Sequence, residues 1–140
     1  MKESVNQKVW EITVNKVINA KSDLYKNGVT INEYKIIGIS KYKVCINSDW
    51  FRTFDYKREK KQRRDSHETY LNDISVRIKT KEDYFGNGVF ITMYSTKKPT
   101  KVILNKMVSI AAIKIDEEYG FLFNGAKDEL YDIVSNYELN

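Results

Sequence analysis

Apolar side chains occupy every second position through much of this chain, and that spacing commits it to β-structure ahead of any other property. Between Val9 and Ile18, the residues Trp10, Ile12, Val14 and Ile18 share one parity while Glu11, Thr13 and Asn15 take the other. In an extended strand this puts the two sets on opposite faces, so a first strand is expected here. Asn19 to Gly28 carries turn residues, Asn27-Gly28 being the sharpest, and a β-rich run follows from Val29 to Asn47, in which Gly38 is expected to bend or bulge the strand.

The same period returns later. Leu71, Ile74, Val76 and Ile78 alternate with Arg77 and Lys79, and beyond Gly86-Asn87-Gly88 a second run from Val89 to Thr96 completes an expected hairpin. Lys97-Lys98-Pro99-Thr100 reads as a turn into a strand over Lys101 to Leu104. Ser109 to Asp116 reads as a further strand, paired with Gly120 to Phe123 across Glu117-Glu118-Tyr119.

Two segments depart from this period. Trp50, Phe51 and Phe54 share the face of one helical turn, with Ser48 or Asp49 placed to cap it, so a one-turn helix or tight bend is expected. At the C-terminus Ala126, Leu130, Ile133, Val134 and Tyr137 form an apolar stripe behind Asn124 as cap, with Asp128 and Glu129 in the first turn, where the helix dipole favours them. A helix of about fourteen residues is marginal alone and must pack on the β-structure.

Six or seven strands and one terminal helix give the expected fold class. It is mainly β (a β-dominated α+β fold): a small, strongly bent antiparallel sheet or barrel, SH3-like or OB-like, with a C-terminal helix. With 140 residues, 41% apolar and 13% aromatic, the chain can bury a core as a single domain over 1–140. The longest nearly apolar stretch, Met107 to Ile115, falls short of the roughly 20 residues that cross a bilayer, and Glu3 interrupts any signal-peptide pattern. A soluble, cytoplasmic protein without a membrane partner is expected. The lone cysteine, Cys45, lies between Val44 and Ile46 and reads as a small hydrophobe in a strand.

Charge is distributed less evenly than apolarity. Lys57-Arg58-Glu59-Lys60-Lys61-Gln62-Arg63-Arg64 holds six cations and one anion, and thus the whole formal net charge of +5. No apolar residue lies between Tyr56 and Tyr70, so positions 57–69 have no face to bury and read as an exposed basic insertion. Within the octet Glu59 and Arg63 are the single favourable helical pair among like-charge neighbours. That self-repulsion is relieved by a polyanion, and nucleic acid is the commonest polyanion in cells.

The expected function is therefore non-enzymatic, largely sequence-independent nucleic-acid binding through the phosphate backbone, DNA being slightly preferred over RNA. Lys57, Arg58, Lys60, Lys61, Arg63 and Arg64 would hold phosphates, joined by Arg52, with Tyr56 and Trp50 as rings that stack on bases. Trp50, Phe51 and Phe54 equally have the spacing of a core-facing turn. Arg77 and Lys79, with Lys81, project from one strand face, and Lys97, Lys98 and Lys101 cluster at a turn. These cations extend the basic surface or, equally, guard strand edges against aggregation.

No cofactor or metal is expected, and no zinc-finger spacing or recognition helix appears. Gly86-Asn87-Gly88 lacks the following helix and lysine-serine pair of a phosphate loop. Asp65-Ser66-His67-Glu68 contains the single histidine, which leaves a metal-independent RNase as a distant third reading. The second is a small protein-binding inhibitor or modulator of a host protein. Nineteen lysines against five arginines, with abundant Ile, Asn and Tyr, are what an AT-rich genome such as that of a bacteriophage tends to encode.

Overall fold

Strand β1 (Lys8–Asn19) lies at the heart of the architecture because its alternating residues find partners on both sides. In the computed structural model, which describes residues 3–19, 27–40, 43–47, 49–52, 70–80, 87–119 and 124–139, it pairs antiparallel with β2 (Gly28–Ile39) and with β6 (Asn87–Ser95). Beyond β2 come β3 (Lys43–Ile46) and β4 (Asp49–Arg52), and beyond β6 comes β5 (Ile74–Lys79), giving the order β4-β3-β2-β1-β6-β5. Two helices follow, α1 (Lys101–Glu118) and α2 (Asn124–Asn136). The molecule is mainly β, a curled antiparallel half-barrel with a C-terminal helix.

The helices cover one face of the sheet. Ile12 and Val14 of β1 join Val89 and Ile91 of β6 in a cluster with Leu104, Met107, Val108, Ala111 and Ile115 of α1 and Ala126, Leu130 and Val134 of α2. All nine of the strand and α1 residues are shut off from solvent, and each such aliphatic side chain contributes about 1.5–3 kcal/mol of burial. Lys101 fastens the helices together from outside, its Nζ donating to the Val134 and Ser135 carbonyls, the last turn of α2, where a cation is favoured.

Several expectations hold with their mechanism. Gly38 sits at a register shift in which Ile36 pairs with Ile46 and Gly38 with Cys45, the bulge foreseen from its lack of a side chain. The β5–β6 hairpin runs in register from Ile74 opposite Met93 to Lys79 opposite Gly88. Cys45 is buried in β3, and the stripe of Ala126, Leu130 and Val134 is buried beneath α2.

Two segments overturn their expected structure. Lys101 to Leu104 and Ser109 to Asp116 are not strands but parts of α1, an 18-residue helix. Its buried residues, Leu104, Met107, Val108, Ala111 and Ile115, recur at three- and four-residue intervals, and Ile103 N–H donates to the Thr100 hydroxyl as a cap. The β-branched content of Ile110 to Ile115 masks that longer period. Conversely, Asp49 to Arg52 forms a strand and not a helical turn, because Asn47 at φ 47° begins a tight reversal that pairs Ile46 with Asp49. Leu71 precedes β5 in a turn with Asn72 at φ 64°. Residues 120–123 lie outside the described residues.

Candidate functional site

The sheet curls until strands far apart in its order touch. Four inter-strand steps separate β4 from β6, about 19 Å on a flat sheet at the usual spacing of about 4.8 Å, yet the Phe51 and Tyr94 rings are 4.3 Å apart between centroids. The face away from the helices is therefore the inside of the half-barrel. At one end it is plugged by Val9, Ile36, Val44, Ile46, Phe51 and Leu71, with Tyr34 and Tyr94 packed against them.

Toward the other end the same face turns polar, residue by residue along β1. Val9 belongs to the plug, Glu11 stands at its border, and Thr13 and Asn15 line an open cavity of about 290 Å³ with Ser75, Arg77, Phe90 and Thr92. The register fixes this grouping: Thr13 lies opposite Thr92, Asn15 opposite Phe90, Thr92 opposite Ser75 and Phe90 opposite Arg77. Directly opposed residues share a face, so the β1–β6 and β6–β5 pairings bring together five polar side chains and one ring. The Arg77 guanidinium lies over the Phe90 ring at 5.5 Å from its centroid, a cation–π contact that orients a long side chain on an exposed surface. Among the described residues, Asn15, Ser75 and Thr92 make no side-chain hydrogen bond, and no carboxylate pairs with Arg77.

The border between plug and cavity is held by a half-buried polar contact. Tyr94 Oη donates to Glu11 Oε2 at 2.5 Å, and Asn32 Nδ2 donates to Glu11 Oε1 at 3.0 Å, so the carboxylate is directed sideways and does not neutralise Arg77. Burial, then the hydrogen bond and negative charge of Glu11, push the Tyr94 phenol above its usual range. A group whose folded pKa is raised contributes stability that is complete below its unfolded value, near 10 for tyrosine, and is lost as pH rises toward the folded value. Urea midpoints should therefore fall above about pH 10, and Tyr94→Phe should flatten that alkaline decline. An equal decline in the variant would place its origin elsewhere.

The predicted site residues that the structure describes lie at separate places on the molecule. Arg77 and Lys79 share the inner face at the cavity end, as their alternation implied. Trp50 is on the outer face of β4, half exposed, its ring across Gly38, whereas its neighbour Phe51 points inward and is buried. The core-facing reading therefore applies to Phe51 and not to Trp50. Lys97 and Lys98 follow β6 at the plugged end, exposed in a turn closed by Ser95 Oγ donating to the Lys97 carbonyl. Lys101 is engaged with α2. Arg52 ends β4. The octet Lys57, Arg58, Lys60, Lys61, Arg63 and Arg64, with Phe54, Tyr56, His67 and Lys81, lies outside the described residues.

Thr13, Asn15, Ser75, Phe90 and Thr92 were missed because polar residues between apolar ones read as a plain solvent face. A signal was present in Val89-Phe90-Ile91, where an unbroken apolar run shows that both faces of β6 have something to cover. Among the described residues there is no group of three His, Cys, Asp or Glu side chains placed to hold a metal, and no helix long and apolar enough to cross a membrane. No family model, curated protein or solved structure matches this chain.

Proposed function

We propose that this is a non-enzymatic nucleic-acid-binding protein that grips phosphates through Lys57 to Arg64 and presents the polar inner face of the half-barrel to the same ligand. The observation that carries this reading is the confinement of the entire +5 charge to eight residues with no apolar side chain among them. Arg77 on the inner face, paired with no carboxylate among the described residues, supports it from a second element. DNA is placed slightly ahead of RNA, and a phage-encoded factor fits the lysine-rich composition.

Neutralising about four phosphates gives a slope of log affinity on log salt near −4, hence a loss of roughly two decades between about 50 and 200 mM salt. Gel-shift titrations with duplex DNA, single-stranded DNA and RNA at two salt concentrations test the reading directly. Replacing Lys60, Lys61, Arg63 and Arg64 together by glutamine should weaken binding to all sequences alike by about a hundredfold at low salt. Thermal stability should change little, because the sequence between Tyr56 and Tyr70 holds no apolar residue that would give the segment a core face. Unchanged affinity in that variant would remove the octet from the interface.

A second reading, a modulator that binds a host protein, is favoured by one observation on α1. Val102 and Ile113, 77% and 57% exposed, lie three helical turns apart and so on one line of its outer surface, away from the sheet. Capture of a single protein from host lysate by a chain that retards no oligonucleotide would favour this reading over the first.

A further inference from the structure

We infer that the inner-face cavity takes one unpaired nucleotide, its base stacked on the Arg77 guanidinium and its edge hydrogen-bonded by Asn15, Ser75 and Thr92. This deepens the proposed function by assigning strand preference, and it rests on that reading.

The chemistry of the lining selects the ligand. Asn15 offers both donor and acceptor atoms, and Ser75, Thr13 and Thr92 each offer a hydroxyl that does either. A simple anion presents acceptors alone and would leave the Asn15 amide oxygen and the hydroxyl lone pairs unused. A nucleobase edge presents donors and acceptors side by side and would use all of it. Thr13 is the least available, since its hydroxyl already approaches the Thr30 carbonyl at 3.5 Å.

The flat element of the site is the guanidinium and not the ring. Phe90 is 7% exposed and lies beneath Arg77, so no ligand reaches its face. Arg77 is itself exposed, held over Phe90, and a guanidinium so placed is a stacking platform for a base. Its charge has no carboxylate partner among the described residues, because Glu11, the nearest acid along β1 on that face, is engaged by Tyr94 and Asn32.

Size and position then separate single strand from duplex. About 290 Å³ is at the lower limit of small-ligand pockets, room for one base and part of its sugar. A paired base is already stacked on both sides, and entering a cavity inside a curled sheet would require its extrusion, which breaks both its stacking and its pairing. An unpaired base bears little of that cost.

The test compares a deoxythymidine oligonucleotide with a hairpin duplex, using the full chain and the variants Arg77→Lys and Arg77→Gln. Fluorescence anisotropy reads affinity, and NMR reads the signals of Asn15, Ser75 and Thr92. Arg77 is exposed, so both variants should fold, and their urea midpoints verify it. Lysine keeps the charge and loses the plane, so the ratio of single-strand to duplex affinity should fall about tenfold in both variants, as loss of one stacked base implies. The three cavity signals should shift with the single strand. A ratio preserved in Arg77→Lys, or cavity signals unmoved while the single strand binds, would overturn the inference and leave the proposed function standing. Failure of the unmodified chain to bind either probe at low salt would overturn both.

Discussion

Gly88→Ala should lower stability by about 3 kcal/mol or more, the most damaging methyl addition at any of the described glycines. Gly88 is the second residue of β6, opposite Val17 on one side and Lys79 on the other. A Cβ there would lie 2.2 Å from the Lys16 carbonyl oxygen, 3.0 Å from Val17 Cα and 3.1 Å from the Lys16 carbonyl carbon. These are backbone atoms of β1, the strand bonded on both sides, and a central strand cannot step back without breaking one of its ladders. The residue also sits at φ +156°, at the margin of what an L side chain adopts. Gly28 supplies the control: its φ is +118°, but nothing lies within 4 Å of an added Cβ, so Gly28→Ala should cost only the conformational strain, about 1 kcal/mol. Equal urea midpoints for the two variants would mean that β1 and β6 do not approach each other at Lys16.

Phe51→Ala should cost about 3–5 kcal/mol, and Trp50→Ala, one residue away, about 1 kcal/mol or less. Phe51 is 5% exposed and closes the curl by meeting Tyr94 of β6, so its loss leaves a void between Val44, Ile46 and Leu71 that the short strands β3 and β4 would have to fill. Trp50 is 51% exposed on the outer face, its ring across Gly38, so its loss opens no enclosed void. A reversed order of urea midpoints would show that the sheet is flat at β4, with the ring of Trp50 buried in place of that of Phe51.

Much of the β-structure was legible because period two is a local property. The alternation of Trp10, Ile12 and Val14 identified β1, Gly38 announced its bulge, and the Ala126-Leu130-Val134 stripe identified the last helix. The two errors share a cause. In Lys101 to Glu118 and in Asp49 to Arg52, short apolar runs satisfy either period, and the environment decides: the sheet's bare face demands a long amphipathic helix, while Asn47 in the left-handed region turns the chain into a hairpin. The candidate site was legible only in Arg77 and Lys79. Asn15, Phe90 and Thr92 belong to it through register across three strands, and no local pattern encodes register between segments some seventy residues apart.

From residue order alone came the strand period, the position of the glycine bulge, the terminal helix and the gathering of all net charge between Lys57 and Arg64, because each is a property of neighbours along the chain. Tertiary structure alone decided which face of the sheet the helices cover, that Phe51 and not Trp50 enters the core, and that Arg77 rests on Phe90 within a cavity of uncharged polar groups. Alternation states that a strand has two unlike faces; curvature and register, set by contacts distant in the chain, decide what each face encloses.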